Sequence, residues 1–124
     1  MMDQPAAIEI ITAVKEFIEK HAMPQLAGHT AFHARVAANA LAVVIRELEQ
    51  GPAAGYDEAA RLRHLLNRDG SLDSLNRELC RRLRENEMPI DNPALIEHLR
   101  LTTLAKVAID QPTYSGYVNS PHKR

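Results

Sequence analysis

The sequence contains no tryptophan, one cysteine and only five glycines in 124 residues, with three tyrosines and two phenylalanines as its aromatic residues. A single cysteine, Cys80, excludes an intramolecular disulfide framework. The scarcity of glycine, and the lack of any GxGxxG or GxxxxGK[ST] pattern, argue against a loop that cradles nucleotide phosphates. Because aromatic residues are so few, the core volume has to come from Leu, Ile, Val and Ala, which suit packed helices.

Charge and hydropathy exclude further classes of protein. Fifteen Lys and Arg residues against sixteen Asp and Glu residues leave a formal net charge of -1, whereas nucleic-acid-binding proteins normally carry a basic excess. No apolar run approaches the roughly 20 residues of a membrane span, and the N-terminal residues lack the features of a signal peptide. We therefore expect a cytoplasmic protein that binds neither nucleic acid nor membranes.

Apolar residues recur at spacings of three and four over most of the chain, and no segment alternates as a strand does. Asp3 is the expected N-cap of the first helix, and Gly51-Pro52 is expected to end the second. The predicted fold class is all-α: a single-domain antiparallel bundle of about five helices over residues 1–115, with an irregular tail over 116–124. The five helices are predicted at about 5–21, 30–50, 56–67, 71–85 and 93–110.

Two of these helices carry more apolar surface than one contact requires. Six alanines between Ala31 and Ala42 make the second helix thin, so we expect it near the centre of the bundle. The fifth helix is apolar on most sides, which is typical of an interior helix. The fourth has one narrow leucine stripe and is expected at the surface. Periodicity alone leaves open whether the excess is buried within one chain or shared between two.

Two histidines at helical spacing are the nearest approach to a metal site. His29 and His33 are four residues apart, which suits two ligands on one helix face. No HExxH or CxxC pattern supplies a third ligand. Three interpretations remain for His33: a hydrogen-bonded side chain at the edge of the core, a metal ligand, or a group that transfers protons. We predict no catalytic residue, no bound metal and no cofactor.

The segment from Arg61 to Arg84 holds seven arginines against three acids. It could bind a phosphate, an acidic partner or, as a helix-turn-helix, DNA. The pairs Asp73–Arg77, Glu78–Arg82 and Arg81–Glu85 are spaced to neutralise much of this charge along one helix. The favoured interpretation is a solvated helix face with internal ion pairs. Cys80 is expected to be a packing residue on the same helix.

Several short segments together resemble one known family. They are AFHARVAANAL at 31–41, RELE at 46–49, LNRELC at 75–80, LAK at 104–106 and DQPTYS at 110–115. This set is similar to a small bacterial family of domains of unknown function. Its members are often encoded beside, or joined to, phosphotransferases of the aminoglycoside/choline-kinase type and acyl-CoA dehydrogenases. The likeness covers roughly residues 3–115, and it carries no catalytic residue over to this chain.

The resemblance implies a role as an accessory protein. We expect a non-catalytic helical module that interacts with a phosphotransferase or an acyl-CoA dehydrogenase, or that forms a homo-oligomer. The alternative is a bundle that holds a small apolar ligand of the acyl type between its helices. His33, Arg35 and Asn39 lie in the most recognisable segment and are the candidate ligand or partner contacts. The competing interpretation makes them structural residues that bridge to neighbouring elements.

Overall fold

A computed structural model describes residues 1 and 3–121 and confirms an all-α fold, with no strand among those residues. The C-terminal residues 122–124 of the predicted tail lie outside the described part. One turn of helix, α5, lies within the segment that was predicted to be irregular. The α-helices are α1 (Ala7–Phe17), α2 (Gly28–Leu66), α3 (Leu72–Arg84), α4 (Pro93–Asp110) and α5 (Ser115–Val118).

The first helix begins later than predicted. Its N-cap is Ala6 rather than Asp3, and the Ala6 backbone N–H donates to the Glu9 carboxylate at 2.7 Å. That bond satisfies one of the backbone donors that every helix leaves free at its start. A π turn (Ile18–Ala22) and a 3-10 turn (Met23–Gln25) follow α1, so the chain stays helical through Pro24.

The largest correction concerns α2, which is one helix of 39 residues where two were predicted. Gly51-Pro52 was expected to end a helix, but Pro52 lies inside α2. A proline there forfeits one backbone hydrogen bond and costs about 3 kcal/mol. Alanines and leucines further along α2 are buried, at Ala59, Leu62 and Leu66, and their burial offsets a local penalty of that size.

The chain divides into two compact units, residues 1–50 and residues 51–124. The core lies in the second unit, where one cluster of buried side chains comes from α2, α3, the following loop and α4. Among the described residues of the first unit, only Ala38 is buried. The cluster comprises Leu62, Leu66, Leu75, Leu79, Met88 and Leu95. The extent of one domain over residues 1–115 stays a prediction.

Two helices of the second unit, α3 and α4, begin where the sequence predicts. The Ser71 hydroxyl accepts from the Ser74 backbone N–H at 3.2 Å and caps α3. The Asn92 side chain caps α4 by accepting from the backbone N–H of Ala94 at 2.9 Å. Both are typical N-capping residues, and Pro93 occupies the first turn, where a missing N–H costs nothing.

The expected interior helices are more exposed than predicted. In α4 only Leu95 and His98 are buried, while Ile96 and Leu99 face outward. In the part of α2 that was expected at the centre of a bundle, only Ala38 is buried. A broad apolar surface on a helix is necessary for an interior position, but it is not sufficient, because the chain must also supply elements to cover it. The prediction that α3 is a surface helix with one buried edge is confirmed by Leu75 and Leu79.

Candidate functional site

The predicted site residues all lie on the first half of α2, and all are exposed. The interpretation of His33 as a hydrogen-bonded side chain at the edge of the core finds no support, because His33 is exposed and shows no hydrogen bond to any described residue. Its ring approaches the Phe32 ring edge-on, with centroids 5.7 Å apart. His29 lies one helical turn before His33. No group of three or more His, Cys, Asp or Glu side chains that could hold a metal occurs in the described residues.

The structure does not bring His33, Arg35 and Asn39 together. At 100° per residue, Arg35 and Asn39 lie about 120–160° around α2 from His33. Their side chains are exposed and do not converge on a common point with His33. A role of these residues as ligand or partner contacts stays a prediction. His33 lies on a side of α2 that does not include Arg35 and Asn39.

That surface is a long exposed side of α2, which we call the α2 face. Its centre line repeats at intervals of four and three residues, which keeps the positions on one side of the helix. Polar residues stand at its two ends, and the middle is apolar. The centre line is His33, Ala37, Ala40, Val44 and Glu47, with Phe32, Val36 and Leu48 as its flanks.

The large side chains of the α2 face are well exposed. Phe32 is 61% accessible, Val36 49%, Val44 42% and Leu48 44%. The other side of this part of α2 is lined by Ala38 and half-buried residues, which face the rest of the first unit. The described part of the chain therefore leaves these side chains of the α2 face uncovered.

An open cleft lies on the opposite side of the first unit. It is lined by three carboxylates, Glu9 and Glu16 from α1 and Glu49 from α2, together with Ile8, Thr12 and Ala13. The start of α1 thus lies beside the residues near position 49, which makes the first unit an antiparallel helical hairpin. Although apolar side chains contribute to the lining, the cleft is open to solvent and does not enclose a ligand as small-molecule pockets do. The cleft therefore does not favour the acyl-binding alternative.

The second unit carries an exposed apolar surface of its own, which we call the α4 face. It consists of Ile90 from the loop before α4 and of Ile96 and Leu99 from the helix. Their accessibilities are 82%, 52% and 47%. The Arg100 guanidinium donates to the Glu97 carboxylate beside it, with Nε at 2.9 Å. An ion pair thus borders an apolar surface, a combination found where proteins dock.

Comparison with known protein families identifies the family of this chain. Residues 24–114 match the model of DUF6285, a domain of unknown function. The chain belongs to the DUF6285 family. No curated protein and no solved structure matches it significantly.

The DUF6285 region contains both exposed surfaces in full. The matched residues include all of α2, α3 and α4, whereas α1 lies before them. The predicted likeness to a family of domains of unknown function is thereby confirmed. The matched region also contains two groups of polar residues, the ion-paired residues of α3 and a buried cluster around His98.

Three of the four arginines of α3 in this DUF6285 chain form ion pairs with acids, as the spacing predicts. Asp73 pairs with Arg77 at 2.9 Å, and Glu78 accepts from Arg82 at 2.8 Å. The carboxylate of Glu78 also accepts from Arg81 at 2.8 Å. These hydrogen bonds, from Arg81 first and then Arg82, lower the pKa of Glu78 to about 2. Helix α3 therefore does not present a basic docking surface.

The prediction that Cys80 is a packing residue is wrong. The thiol side chain is exposed and borders an open cleft on α3 whose lining includes Asp73, Arg77 and Arg84. The leucine stripe at 72, 75, 79 and 83 leaves position 80 outside the buried edge, because one residue turns the helix by 100°.

A buried polar cluster in the second unit was missed by the sequence reasoning. His98 is 3% accessible, and Arg61 donates to the Thr102 hydroxyl at 3.1 Å. Burial first, and then the charge of Arg61, lower the pKa of His98. The Asn76 amide donates to Glu58 at 3.1 Å nearby. His98 lies three residues after Leu95 and four before Thr102, and this spacing was the signal that places it on the inner side of α4.

Proposed function

We propose that this DUF6285 protein is a non-catalytic interaction module that accompanies an enzyme. The enzyme is a phosphotransferase of the aminoglycoside/choline-kinase type or an acyl-CoA dehydrogenase, in the cytoplasm of a bacterium. The choice of enzyme rests on the sequence resemblance described above. The structural support comes from the distribution of apolar side chains.

Among the described residues, more large hydrophobic side chains are exposed than buried, and this observation carries the proposal. Fifteen of them are exposed, against six large hydrophobic side chains and two alanines that are buried. Single exposed hydrophobic side chains are normal, but contiguous apolar patches beyond a few hundred Å² are rare on monomers and mark interaction sites. Seven of the fifteen belong to the α2 face and the α4 face.

The titratable groups with shifted pKa values support a role without catalysis. The pKa of Glu78 is lowered by arginines that already hold its carboxylate, and the pKa of His98 is lowered mainly by burial. Catalytic acids and bases need a shifted pKa together with access to a substrate. Glu78 is occupied by its ion pairs and His98 is enclosed in the core, so neither group is placed to reach a substrate.

We assign the docking of the enzyme to the α4 face. Ile90, Ile96 and Leu99 supply an apolar centre, and the Glu97–Arg100 pair supplies a polar edge that can set the orientation of the partner. Apolar side chains that are more than 45% accessible on a regular helix are suited to fill pockets of another protein. The rigid helix places them without a cost for ordering a loop.

The test is a direct binding measurement with purified enzymes. A phosphotransferase of this type and an acyl-CoA dehydrogenase from the same organism are titrated with the protein by isothermal titration calorimetry. We expect Leu99→Asp to weaken binding at least tenfold, since a buried interface would have to accommodate an unpaired carboxylate. Val118→Asp is the matched control, because Val118 is equally exposed, at 47%, but lies on α5. Absence of binding to both enzymes, or equal binding by both variants, contradicts the proposal.

A further inference from the structure

We infer that the α2 face is a dimer interface, on which the same face of a second copy lies antiparallel and crosses it at Ala40. The inference goes beyond the proposed function, because it concerns a different surface and a different partner. It rests on the register of the exposed residues, on the exposed apolar side chains and on the polar side chains at the two ends of the face.

The two ends of the α2 face lie symmetrically about its middle. His33 and Glu47 each lie seven residues from Ala40, whereas Ala37 lies three residues before it and Val44 four residues after it. In an antiparallel helix pair, a residue n positions before the crossing point faces the residue n positions after it on the other chain. A two-fold axis at Ala40 thus places Ala37 opposite position 43 of the second copy, which is adjacent in sequence to Val44.

The same axis brings complementary polar side chains together. His33 of one copy faces Glu47 of the other, and the contact occurs twice because the interface is two-fold. A neutral imidazole donates a hydrogen bond to a carboxylate, and an imidazolium also forms an ion pair with it. Both side chains are exposed, and Glu47 has no ion pair within the described chain. Each end of the face is thus complementary to the opposite end of a second copy.

The side chains at the centre permit a close approach of the two helices. Ala37 and Ala40 project little from the helix, so the backbones can come within about 8 Å of each other. Larger side chains flank this line on both sides, with Phe32 and Val36 on one and Leu48 on the other. They would surround the closely packed centre and keep water from it.

The exposed side chains of the α2 face form the apolar part of such a contact. Phe32 is 61% accessible, and Val36, Val44 and Leu48 are each more than 40% accessible. A contiguous apolar patch on a protein surface marks an interaction site. In the antiparallel pair, each copy covers this patch of the other copy.

Sedimentation velocity over a wide range of protein concentration tests the inference. We expect a reversible monomer–dimer equilibrium for the wild-type chain. Ala40→Glu places two carboxylates beside the two-fold axis and is expected to weaken the dimer by about a hundredfold or more. Ala60→Glu is the matched control, since Ala60 is an exposed alanine of the same helix outside the α2 face. Circular dichroism of both variants verifies that the helices remain folded.

A charge exchange tests the register separately. His33→Glu puts two carboxylates opposite each other at both ends of the interface and is expected to weaken the dimer by roughly fivefold. Glu47→Lys in the same chain restores opposite charges and is expected to restore the wild-type affinity. Restoration by the double variant is specific to the antiparallel register, because a parallel pair does not bring residues 33 and 47 together.

Three results would overturn the inference. The first is a wild-type chain that remains monomeric at high concentration, which leaves the α2 face to some other partner. The second is a dimer that Ala40→Glu and Ala60→Glu affect equally, and the third is a double variant that stays weakened. None of these outcomes bears on the proposed enzyme complex, because that complex is assigned to the α4 face and is measured with the variants at Leu99 and Val118.

Discussion

Replacement of Leu75 by alanine probes the core of the second unit where three helices meet. Leu75 lies on the buried edge of α3 and is fully inaccessible to solvent. It belongs to one cluster with Leu62 and Leu66 of α2 and with Leu95 of α4. The substitution removes three carbon atoms from the centre of that cluster and leaves the backbone and the Ser71 cap in place.

The expected loss of stability follows from the burial. Leucine-to-alanine replacements at fully buried positions cost about 3–5 kcal/mol, which combines the lost transfer free energy with the cost of the cavity. A chain of this length is stable by about 5–15 kcal/mol. We therefore expect Leu75→Ala to lower the free energy of unfolding by about 3 kcal/mol. At about 4 °C per kcal/mol, this corresponds to a fall of about 12 °C in Tm.

Urea unfolding followed by circular dichroism at 222 nm measures the change. Ile90→Ala serves as the control, because the Ile90 side chain is 82% accessible and its truncation should change the unfolding free energy by less than about 0.5 kcal/mol. A loss below about 1 kcal/mol for Leu75→Ala would refute the assignment of the core to α2, α3 and α4. Equal losses in the two variants would refute it as well.

Three further predictions concern the polar residues of the second unit. Ser71→Ala removes the side-chain cap of α3 and should lower the unfolding free energy by about 1 kcal/mol in urea, whereas Ser71→Asp should retain it. The pKa of His98 lies below its ordinary value of 6.5, so the unfolded chain binds more protons and stability should fall as the pH drops from 7.5 to 5.5. His98→Gln should flatten that part of the pH profile, and an unchanged slope would contradict the assignment. The pKa of Glu78 falls from 4.5 to about 2, so its contribution is present above pH 4.5 and is lost as the pH falls toward 2. Glu78→Gln should lower the urea midpoint at pH 7 and reduce its change between pH 5 and pH 3.

Local signals predicted the second unit well. The start of α3 at Ser71 and the whole of α4 from Asn92 to Asp110 agree with the sequence, because capping side chains and an N-terminal proline act within a few residues. The ion pairs on α3 were also predictable, since partners three and four residues apart meet on any helix. These features depend on neighbours in the chain and need no knowledge of the tertiary fold.

Features that depend on distant residues were not predictable in the same way. The sequence around Pro52 indicates a break, but burial of residues such as Leu62 and Leu66 outweighs the local cost of the proline. The burial of His98 was not predicted, although its spacing from Leu95 matches the buried edge of α4. The candidate residues Arg35 and Asn39 were chosen from a resemblance, which does not state which side of a helix they occupy.

The exposed apolar surfaces explain why two helices seemed to belong to an interior. A hydrophobic pattern records that a surface is to be kept from water, and it does not record which element covers it. In the second half of α2 the covering elements are in the same chain, because Leu62 and Leu66 pack against leucines of α3 and α4. In the first half, no described element covers Phe32, Val36, Val44 and Leu48. Both halves belong to one continuous helix. The exposed side chains of the first half therefore lie on regular helical structure. In the antiparallel dimer that we propose, a second copy of the chain covers this exposed half.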